Sequence, residues 1–570
     1  MIEQSPRARS PSPGDELVFL ALGGIGEIGM NCYLYGLGAA DARQWLMVDL
    51  GITFPEGEND PGVDVILPDL RFIEEERANL AGIVLTHAHE DHFGAVAELW
   101  SRLKVPLYAT PFSAALLAAK LAEFGGRERP HVKVVALDSR FQVGGFDVEL
   151  ISLAHSIPES NALAIRTPLG CVLHTGDWKL DAAPVIGAPA DVERLRRFGD
   201  DGVTAMVCDS TNALREGRSP SERDVARTLA GLIRDARGRV AVTIFASNVA
   251  RIRAVADAAR GAGRRLIVAG RAMHRIIDAA MDTGYLPSDF KYLDQEHFGY
   301  LQRDETVVLC TGSQGEPRAA MARIAAGQHP HISLGKGDLV IFSSRTIPGN
   351  ERPVGRIHNQ LIDLGCELLT DGDALVHVTG HPRREELKEM YHWVKPRVAI
   401  PMHGEARHLT EHAKLARAVG VGEVLSVRNG DIVRLAPGPA EVIDQAPVGR
   451  LFRDGRLLVA SEEGPVRQRR ALAFAGMVIV SLTLSARGEL LADPQVTLDG
   501  VPALDGAGDS ILEHLLDAID GTLRSIPPAR RKDSEMVREA VRRAVRARIE
   551  DVWGKRPITK VLLTQLAMRS

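Results

Sequence analysis

Short apolar runs broken by glycine and proline set the rhythm of the first two hundred residues. Leu17-Val-Phe-Leu20, Trp45-Leu-Met-Val-Asp49, Ile83-Val-Leu-Thr86, Val134-Val-Ala-Leu137, Val148-Glu-Leu-Ile-Ser152 and Cys171-Val-Leu-His174 all have strand length and strand composition. With helical periodicity between them, for example over 94–103, they predict mixed α/β structure with sheet layers from about residue 16 to 209. From about Ser219 the period lengthens. Residues 222–237 and 249–261 are expected as helices, 240–245 and 266–269 as strands, the alternation of an open, largely parallel sheet in a separate lobe. Further strand-then-turn signals lie at 307–312, 339–344 and 374–378, ahead of Pro401-Met-His403 and a proline-rich linker over 436–447. A third unit begins near Gly449. Within it, 471–486 is expected as a core strand, too short to span a bilayer and interrupted by Ser481 and Thr483. Its last helix, 534–552, carries Val537, Val541, Val545, Ile549 and Val552 on one face and Arg538, Arg542, Arg543, Arg546 and Arg548 on the other. That pattern is expected of a solvated packing helix before a nucleic-acid contact.

Composition narrows the class without naming a chemistry. A chain of 570 residues, 45% hydrophobic and 25% charged, divides into several domains of ~100–200 residues. The net charge of −5 gives no global attraction to a polyanion, so nucleic-acid binding would need a local basic groove or metal ions. Five dispersed cysteines without a CxxC pair argue against a disulfide framework and against thiolate ligation of zinc, and favour a reducing cytoplasm. Residues 1–14, rich in proline, serine and arginine, are expected as a disordered lead-in and lack the apolar core of a secretory signal.

The chemistry concentrates in His87-Ala-His89-Glu-Asp91-His92, which directly follows the run at 83–86. Three imidazoles and a carboxylate in six positions, in a chain with 18 histidines, point to a divalent metal held on a turn between rigid elements. Asp49, His155, Asp177 and His403 each stand at or just past another expected strand end, where side chains from separate strands converge. Five histidines and two aspartates exceed one four-coordinate zinc. Two metals sharing a carboxylate, ~3.5–4 Å apart, would use them and could clamp the attacking and leaving oxygens of a phosphodiester. Ligands of nitrogen and oxygen alone suit zinc or manganese. Gly24-Ile-Gly-Glu-Ile-Gly29 fits GxGxxG, but Met30-Asn-Cys-Tyr-Leu-Tyr35 after it reads as a strand, so a hairpin turn is expected and not a dinucleotide site.

In order, Asp49, His87-x-His89-x-Asp91-His92, His155 and Asp177 resemble the motifs of the metallo-β-lactamase fold. Asp209-Ser-Thr-Asn212, Phe245-Ala-Ser-Asn-Val249, Cys310-Thr-Gly-Ser-Gln-Gly-Glu-Pro317, Ile347-Pro-Gly-Asn-Glu351, His377-Val-Thr-Gly-His381 and Pro401-Met-His-Gly-Glu405 are similar to the β-CASP nuclease family, in its ribonuclease J branch. The resemblance covers about 16–445, and Gly554-Lys-Arg-Pro557 extends it more weakly. It implies a metallo-β-lactamase αββα sandwich in two parts, 15–215 and 374–448, with an inserted β-CASP α/β lobe at 216–373 and a small α+β C-terminal domain at 449–570.

The resemblance also implies residue roles. His87, His89, His155 and Asp177 would hold one metal; Asp91, His92, His403 and the shared Asp177 the other. Asp49 would orient ligands without touching a metal. Asp91, Asp177, Asp209 and His381 form the implied catalytic set, His381 contacting the scissile phosphate or protonating the leaving oxygen. Gly312, Ser313, Ser343, Ser344, Thr379 and Gly380 are implied phosphate contacts, with Arg345 beside them. His377 belongs either with these or, like His174, with packing. The implied activity is a two-metal ribonuclease, 5′-to-3′ exonucleolytic and endonucleolytic, in rRNA processing and mRNA decay. Its RNA would carry a 5′-monophosphate and thread between the two lobes. A homodimer or homotetramer through the C-terminal domain and RNA-decay protein partners are implied too, with no membrane association. Ala250, Thr379, Glu159 and Trp178 depart from the family pattern without removing a ligand; Ala250 puts one contact in the inserted lobe in doubt. A DNA-directed β-CASP nuclease, a small-molecule hydrolase and a non-catalytic scaffold are the alternatives. Against the last two stand the Asp209 and His381 motifs and the full ligand complement.

Overall fold

The computed structural model describes residues 12–55, 57–125, 128–461 and 464–566. They divide into two compact units, one of residues 12–54 and 66–451, the other of residues 55–65 and 452–566. Most of the expected lead-in, residues 1–11, lies outside the described residues.

The larger unit is built on two sheets. The first has eight strands in the order Glu441–Gln445, Asp431–Ala436, Glu16–Gly23, Cys32–Gly38, Gln44–Val48, Leu80–Val84, Leu107–Ala109 and Val132–Val134. The second has seven: Glu423–Val424, Val398–Met402, Ala205–Asp209, Gly170–His174, Ser160–Thr167, Phe146–Leu153 and Arg140–Val143. Alternate residues of each sheet meet between them, among them Phe19, Tyr35, Val48 and Val84 against Val148, Ile165, Val207 and Ile400. The opposite face of the second sheet, with Ile151, Ala164, Leu173 and Met206, packs on helices Val192–Asp200, Arg384–Val394 and Ala406–Ala418 through Leu195, Phe198, Leu387, Met390 and Leu415. On the first sheet Leu20, Leu34, Met47 and Ile83 point the other way and are equally buried. This is the αββα sandwich that the sequence leads one to expect.

Between Ala205–Asp209 and its parallel neighbour Val398–Met402 the chain leaves to form the inserted lobe. Its six-stranded sheet runs Leu293–Asp294, Arg265–Ala269, Thr306–Cys310, Val240–Thr243, Leu339–Phe342 and Glu367–Leu369, every pair parallel. Helices Glu222–Asp235, Val249–Gly261, Arg271–Asp282, Ala320–Ala325 and Glu351–Asp363 alternate with these strands along the chain, except between Leu293–Asp294 and Thr306–Cys310, which short 3-10 turns connect. The central strands are buried along their whole length, which is why they read as unbroken apolar runs.

In the smaller unit, strands Gln495–Asp499, Met477–Ser485 and Ile558–Leu566 form a sheet with Met477–Ser485 in the middle. Helices Ile511–Ser525 and Ser534–Trp553 pack on one of its faces through Leu515, Ile519, Val537, Val541, Val545 and Ile549. Arg538 pairs with Glu535, and Arg542 and Arg543 with Glu539, so the basic side of the last helix is laced by ion pairs at helical spacing. No helix among the described residues is long and apolar enough to cross a membrane.

Four local expectations are corrected. The run 471–486 is the end of helix Pro465–Ala475 followed by strand Met477–Ser485, divided at Gly476, whose φ of +68° ends the helix. Residues 374–378 form no strand, because the Val376 carbonyl accepts from the side chains of Arg251 and Ser343 instead of from a ladder. The linker over 436–447 contains an edge strand, Glu441–Gln445, paired to Asp431–Ala436. The strand expected at 134–137 ends at Val134, ahead of a turn with Asp138 at φ +55°. Gly24–Gly29 does form the turn of a hairpin, between Glu16–Gly23 and Cys32–Gly38.

Candidate metal centre

The strands that end at this rim of the sandwich deliver the donors. His87 and His89 follow Leu80–Val84, His155 follows Phe146–Leu153, Asp177 follows Gly170–His174, and His403 follows Val398–Met402. Asp91 and His92 sit on the short helix Glu90–Phe93, for which His89 is the N-terminal flank. That turn is seated tightly on its neighbour. Gly51 N–H donates to the Asn31 carbonyl, and a Cβ on Gly51 would stand 1.7 Å from the Asp91 carbonyl oxygen, so only glycine fits.

Three groups of donors contain Asp177: His87, His89, His155 and Asp177; Asp91, His92, Asp177 and His403; and Asp177, Asp209, His381 and His403. In the first, His89 Nδ1 lies 3.1 Å from His87 Nε2 and 3.0 Å from His155 Nε2. Asp177 Oδ2 stands 3.9 Å and 3.8 Å from the same two Nε2 atoms. In the second, Asp177 Oδ2 is 3.2 Å from His92 Nε2, and Asp91 Oδ2 is 3.1 Å from His403 Nε2. The ligand sets that the resemblance implies have the same residues as the first two groups; the third adds Asp209 and His381.

The remaining nitrogen of every imidazole is held. His92 Nδ1–H donates to Asp49 Oδ2 at 2.7 Å, and Asp49 also accepts from the Thr86 N–H and hydroxyl. His87 Nδ1 meets the Thr86 hydroxyl at 3.0 Å, His155 Nδ1 the Gly380 carbonyl at 2.6 Å, and His403 Nδ1 the Thr211 hydroxyl at 2.8 Å. His89 Nε2 meets Ser247 Oγ at 3.1 Å. Gly380 reaches His155 because it lacks a Cβ, which would lie 2.5 Å from that nitrogen. With these partners His87, His89 and His155 carry their protons on the outward nitrogens, leaving lone pairs on the inward ones. Inside the first group, three nitrogen lone pairs therefore face one another at about hydrogen-bond distance with no hydrogen to share. Asp177 Oδ1 is buried without a hydrogen bond. Cations among these atoms would satisfy both, so the residues fit a pair of divalent metals with imidazole and carboxylate ligands.

Electrostatics divide the groups. Burial, reinforced by neighbouring imidazoles, pushes His87 and His155 well below the ordinary histidine value, and burial brings His89 down to about 4. All three are neutral donors near neutral pH. Burial opposes charge on His403 as well, but Asp177, Asp209 and Asp91 outweigh it and raise His403 to about 10. His92 is raised likewise, against burial, by Asp177, Asp91 and Asp49. Asp177 and Asp91 stay ionised despite burial because of these imidazolium partners. Metal uptake by the second group would thus release protons.

His381 borders both groups. Its Nδ1–H donates to Asp209 Oδ2 at 2.8 Å and lies 3.8 Å from Asp177 Oδ2, and its ring stands against those of His155 and His403. Against burial, Asp209 and Asp177 raise its pKa. Thr379 accepts from the His381 N–H, and Asn212 donates to Thr379 and to the His381 carbonyl, fixing this turn.

Of the expected phosphate contacts, Thr379 and Gly380 adjoin the His–Asp cluster, Gly380 through His155 and Thr379 through the His381 turn, whereas Gly312, Ser313, Ser343 and Ser344 lie at strand ends of the inserted lobe. Gly312 has φ +112° after Thr306–Cys310, with Ser313 buried beside it. Ser343 and Ser344 are buried after Leu339–Phe342; the Ser343 hydroxyl donates to the Val376 carbonyl and contacts Arg251. Gln314 Nε2 donates to the Arg345 carbonyl. His377 packs near Phe245, its Nδ1 unpaired and its pKa brought by burial to about 3. His174 meets the Tyr35 hydroxyl behind the metal rim. Glu159 accepts from Phe112 N–H and Tyr285 OH, while Ala250 and Trp178 are core residues.

Sequence reasoning passed over Asn31, Thr86, Thr211 and Ser247. Asn31 Nδ2 donates to the Asp91 carbonyl and lies 3.0 Å from His92 Nε2, and its Oδ1 accepts from Tyr33. Thr211 and Ser247 sit inside motifs singled out for their neighbours, so the signal was present and unread.

Comparison with known proteins places this geometry. Residues 25–204 match the metallo-beta-lactamase superfamily, and 237–361 the ribonuclease J beta-CASP domain. Residues 374–426 match the Zn-dependent metallo-hydrolase RNA specificity domain, and 464–566 the ribonuclease J C-terminal domain. A ribonuclease J from Sinorhizobium meliloti is 52% identical over 97% of this chain and 98% of its own length. One from Mycolicibacterium smegmatis is 38% identical over 94% and 95%. Among solved structures, a protein of unknown function from Enterococcus faecalis shares the fold, with a TM-score of 0.50 at 15% identity over 74% of this chain and all of that one.

Proposed function

The chain belongs to the ribonuclease J family, and on that premise we propose that the His–Asp centre cleaves RNA as a 5′-to-3′ exonuclease with endonuclease activity. The enzyme is a metal-dependent ribonuclease, a hydrolase of RNA phosphodiester bonds. One observation carries the assignment to this site: Asp177 belongs at once to the two metal-ligand groups and to a third with Asp209, His381 and His403.

Two divalent cations, zinc or alternatively manganese, would be held by the two groups and would supply activation of water at neutral pH and neutralisation of phosphate charge. The protein's own contributions follow from the hydrogen bonds. Asp49, Thr86, Gly380, Thr211 and Ser247 hold each imidazole to one tautomer and one orientation. Asp209 holds the proton on His381 Nδ1 and favours the imidazolium, so the opposite nitrogen can give a proton to the leaving oxygen. We assign the turns at Gly312-Ser313, Ser343-Ser344 and Thr379-Gly380 to RNA binding, since glycine-rich turns let backbone N–H groups approach phosphates closely. A 5′-monophosphate RNA end, a homodimer or homotetramer formed through residues 449–570, RNA-decay protein partners and a cytoplasmic location complete the proposal; the family supports them.

End-labelled RNAs carrying 5′-monophosphate or 5′-triphosphate, with matched DNA, test the reading in the presence of zinc or manganese. Mononucleotides released from 5′-monophosphate RNA, together with internal fragments, are expected. Selective cleavage of the DNA would overturn the RNA assignment, and internal fragments alone would overturn the exonuclease.

A further inference from the structure

Four of the five imidazole clamps come from the sandwich itself: Thr86, Asp49, Gly380 and Thr211. The fifth comes from the inserted lobe. Ser247 lies on the turn between strand Val240–Thr243 and helix Val249–Gly261, 158 residues from His89. The turn is locked. Asn248 N–H donates to the Phe245 carbonyl, and Asn248 Oδ1 caps the helix by accepting from Arg251 N–H. The Arg251 guanidinium, fully buried, donates to both Glu222 carboxylate oxygens and to the carbonyls of Ser343 and Val376. Glu222 N–H in turn donates to Asp181 Oδ2, four residues beyond the shared ligand Asp177. A closed path of bonds thus runs from the Asp177 segment through the lobe and back to His89.

His89 is the donor with most need of such a partner. It is half-buried and precedes a helix of one turn, so its own backbone restrains the ring little. Its Nδ1 faces His87 and His155 only while Nε2–H has an acceptor on the far side, and Ser247 Oγ is the acceptor there. Without one, the proton can move to Nδ1 and the lone pair turns away.

Resting on the two-metal reading above, we infer that Ser247 is a positioning residue: through it, the inserted lobe holds His89 in its ligating tautomer, and the seating of the lobe governs metal affinity at the three-histidine group. Displacing the lobe weakens that group and spares Asp91, His92 and His403, whose clamps are all in the sandwich.

The test titrates zinc alone, against a competing chelator, into metal-free full-length wild type, Ser247→Ala and Ser247→Thr, with thermal melts of the metal-free proteins alongside. Wild type is expected to take two zinc ions. Ser247→Ala should keep one at wild-type affinity and bind the other about 10–100-fold more weakly, the usual effect of removing such a partner. Ser247→Thr, which retains a hydroxyl, should restore it, and the metal-free melts should coincide. Two wild-type affinities in Ser247→Ala would overturn the inference, as would equal weakening of both sites with a lowered melt, or no rescue by threonine. A wild-type chain that takes no zinc would instead overturn the two-metal reading, and this inference with it.

Discussion

Asp209 Oδ2 accepts a 2.8 Å hydrogen bond from His381 Nδ1, and the same carboxylate, through Oδ1, accepts from the Thr211 hydroxyl that holds His403. One buried aspartate therefore orients both a proposed proton donor and a proposed metal ligand. His381→Gln and Asp209→Asn are expected to lower kcat by about 10²–10⁴, the range of general acid–base catalysis, with KM little changed. Metal content separates the roles: His381→Gln should retain two metals per chain. If it lost one, His381 would be a ligand and not an acid.

Gly51→Ala tests the seating of the metal-binding turn. The added methyl would overlap the Asp91 backbone carbonyl at 1.7 Å, where no flexible side chain can yield. A destabilisation of about 1–3 kcal/mol, typical of overpacking, is expected in urea unfolding, with weakened metal binding at the Asp91 and His92 group. A variant indistinguishable from wild type in both measurements would show that the turn is not held against Gly51.

Arg251 and Glu222 form a fully desolvated pair, side chains 0% and 5% exposed, 2.9 Å apart. Arg251→Met leaves a buried carboxylate without its partner and should cost about 3–5 kcal/mol. Adding Glu222→Gln should recover part of that loss, because the uncompensated charge is then gone. Additive losses in the double variant would contradict this coupling.

Acid stability reports on two histidines outside the metal groups. Burial brings His174 to about 3 and His412 to about 4; His412 bridges Ser210 Oγ and Tyr391 OH. Each has a folded pKa below the unfolded value near 6.5, so below pH 6.5 the unfolded chain binds a proton that the folded chain refuses until pH nears the folded value. Stability is unaffected above pH 7 and falls with pH between about 6.5 and 4, each group approaching about 1.4 kcal/mol per pH unit. Denaturant unfolding of His412→Gln from pH 7 to 5 should show a shallower decline than wild type. Parallel curves would contradict it.

The ligands were legible because they stand in a simple relation to the strands. An apolar run followed at once by His or Asp, as at 83–92, 171–177 and 398–403, marks both the element and the rim where donors meet. Their clamps were not legible: Ser247, Thr211 and Asn31 are common polar types whose role is set by neighbours far away in sequence. Strand signals failed where other forces took over. At 374–378 the Arg251 and Ser343 side chains capture the Val376 carbonyl, and at 471–486 a helix runs into a strand with Gly476 dividing one largely apolar stretch.

The central claim is that Asp177 joins two metal groups into one RNA-cleaving centre. The most direct measurement is metal content per chain, taken with turnover of 5′-labelled RNA, for wild type and Asp177→Ala. Wild type should carry two divalent ions and hydrolyse RNA, and Asp177→Ala should lose metal from both groups and fall to background turnover while keeping its fold. Full hydrolysis by a metal-stripped Asp177→Ala chain would contradict the account.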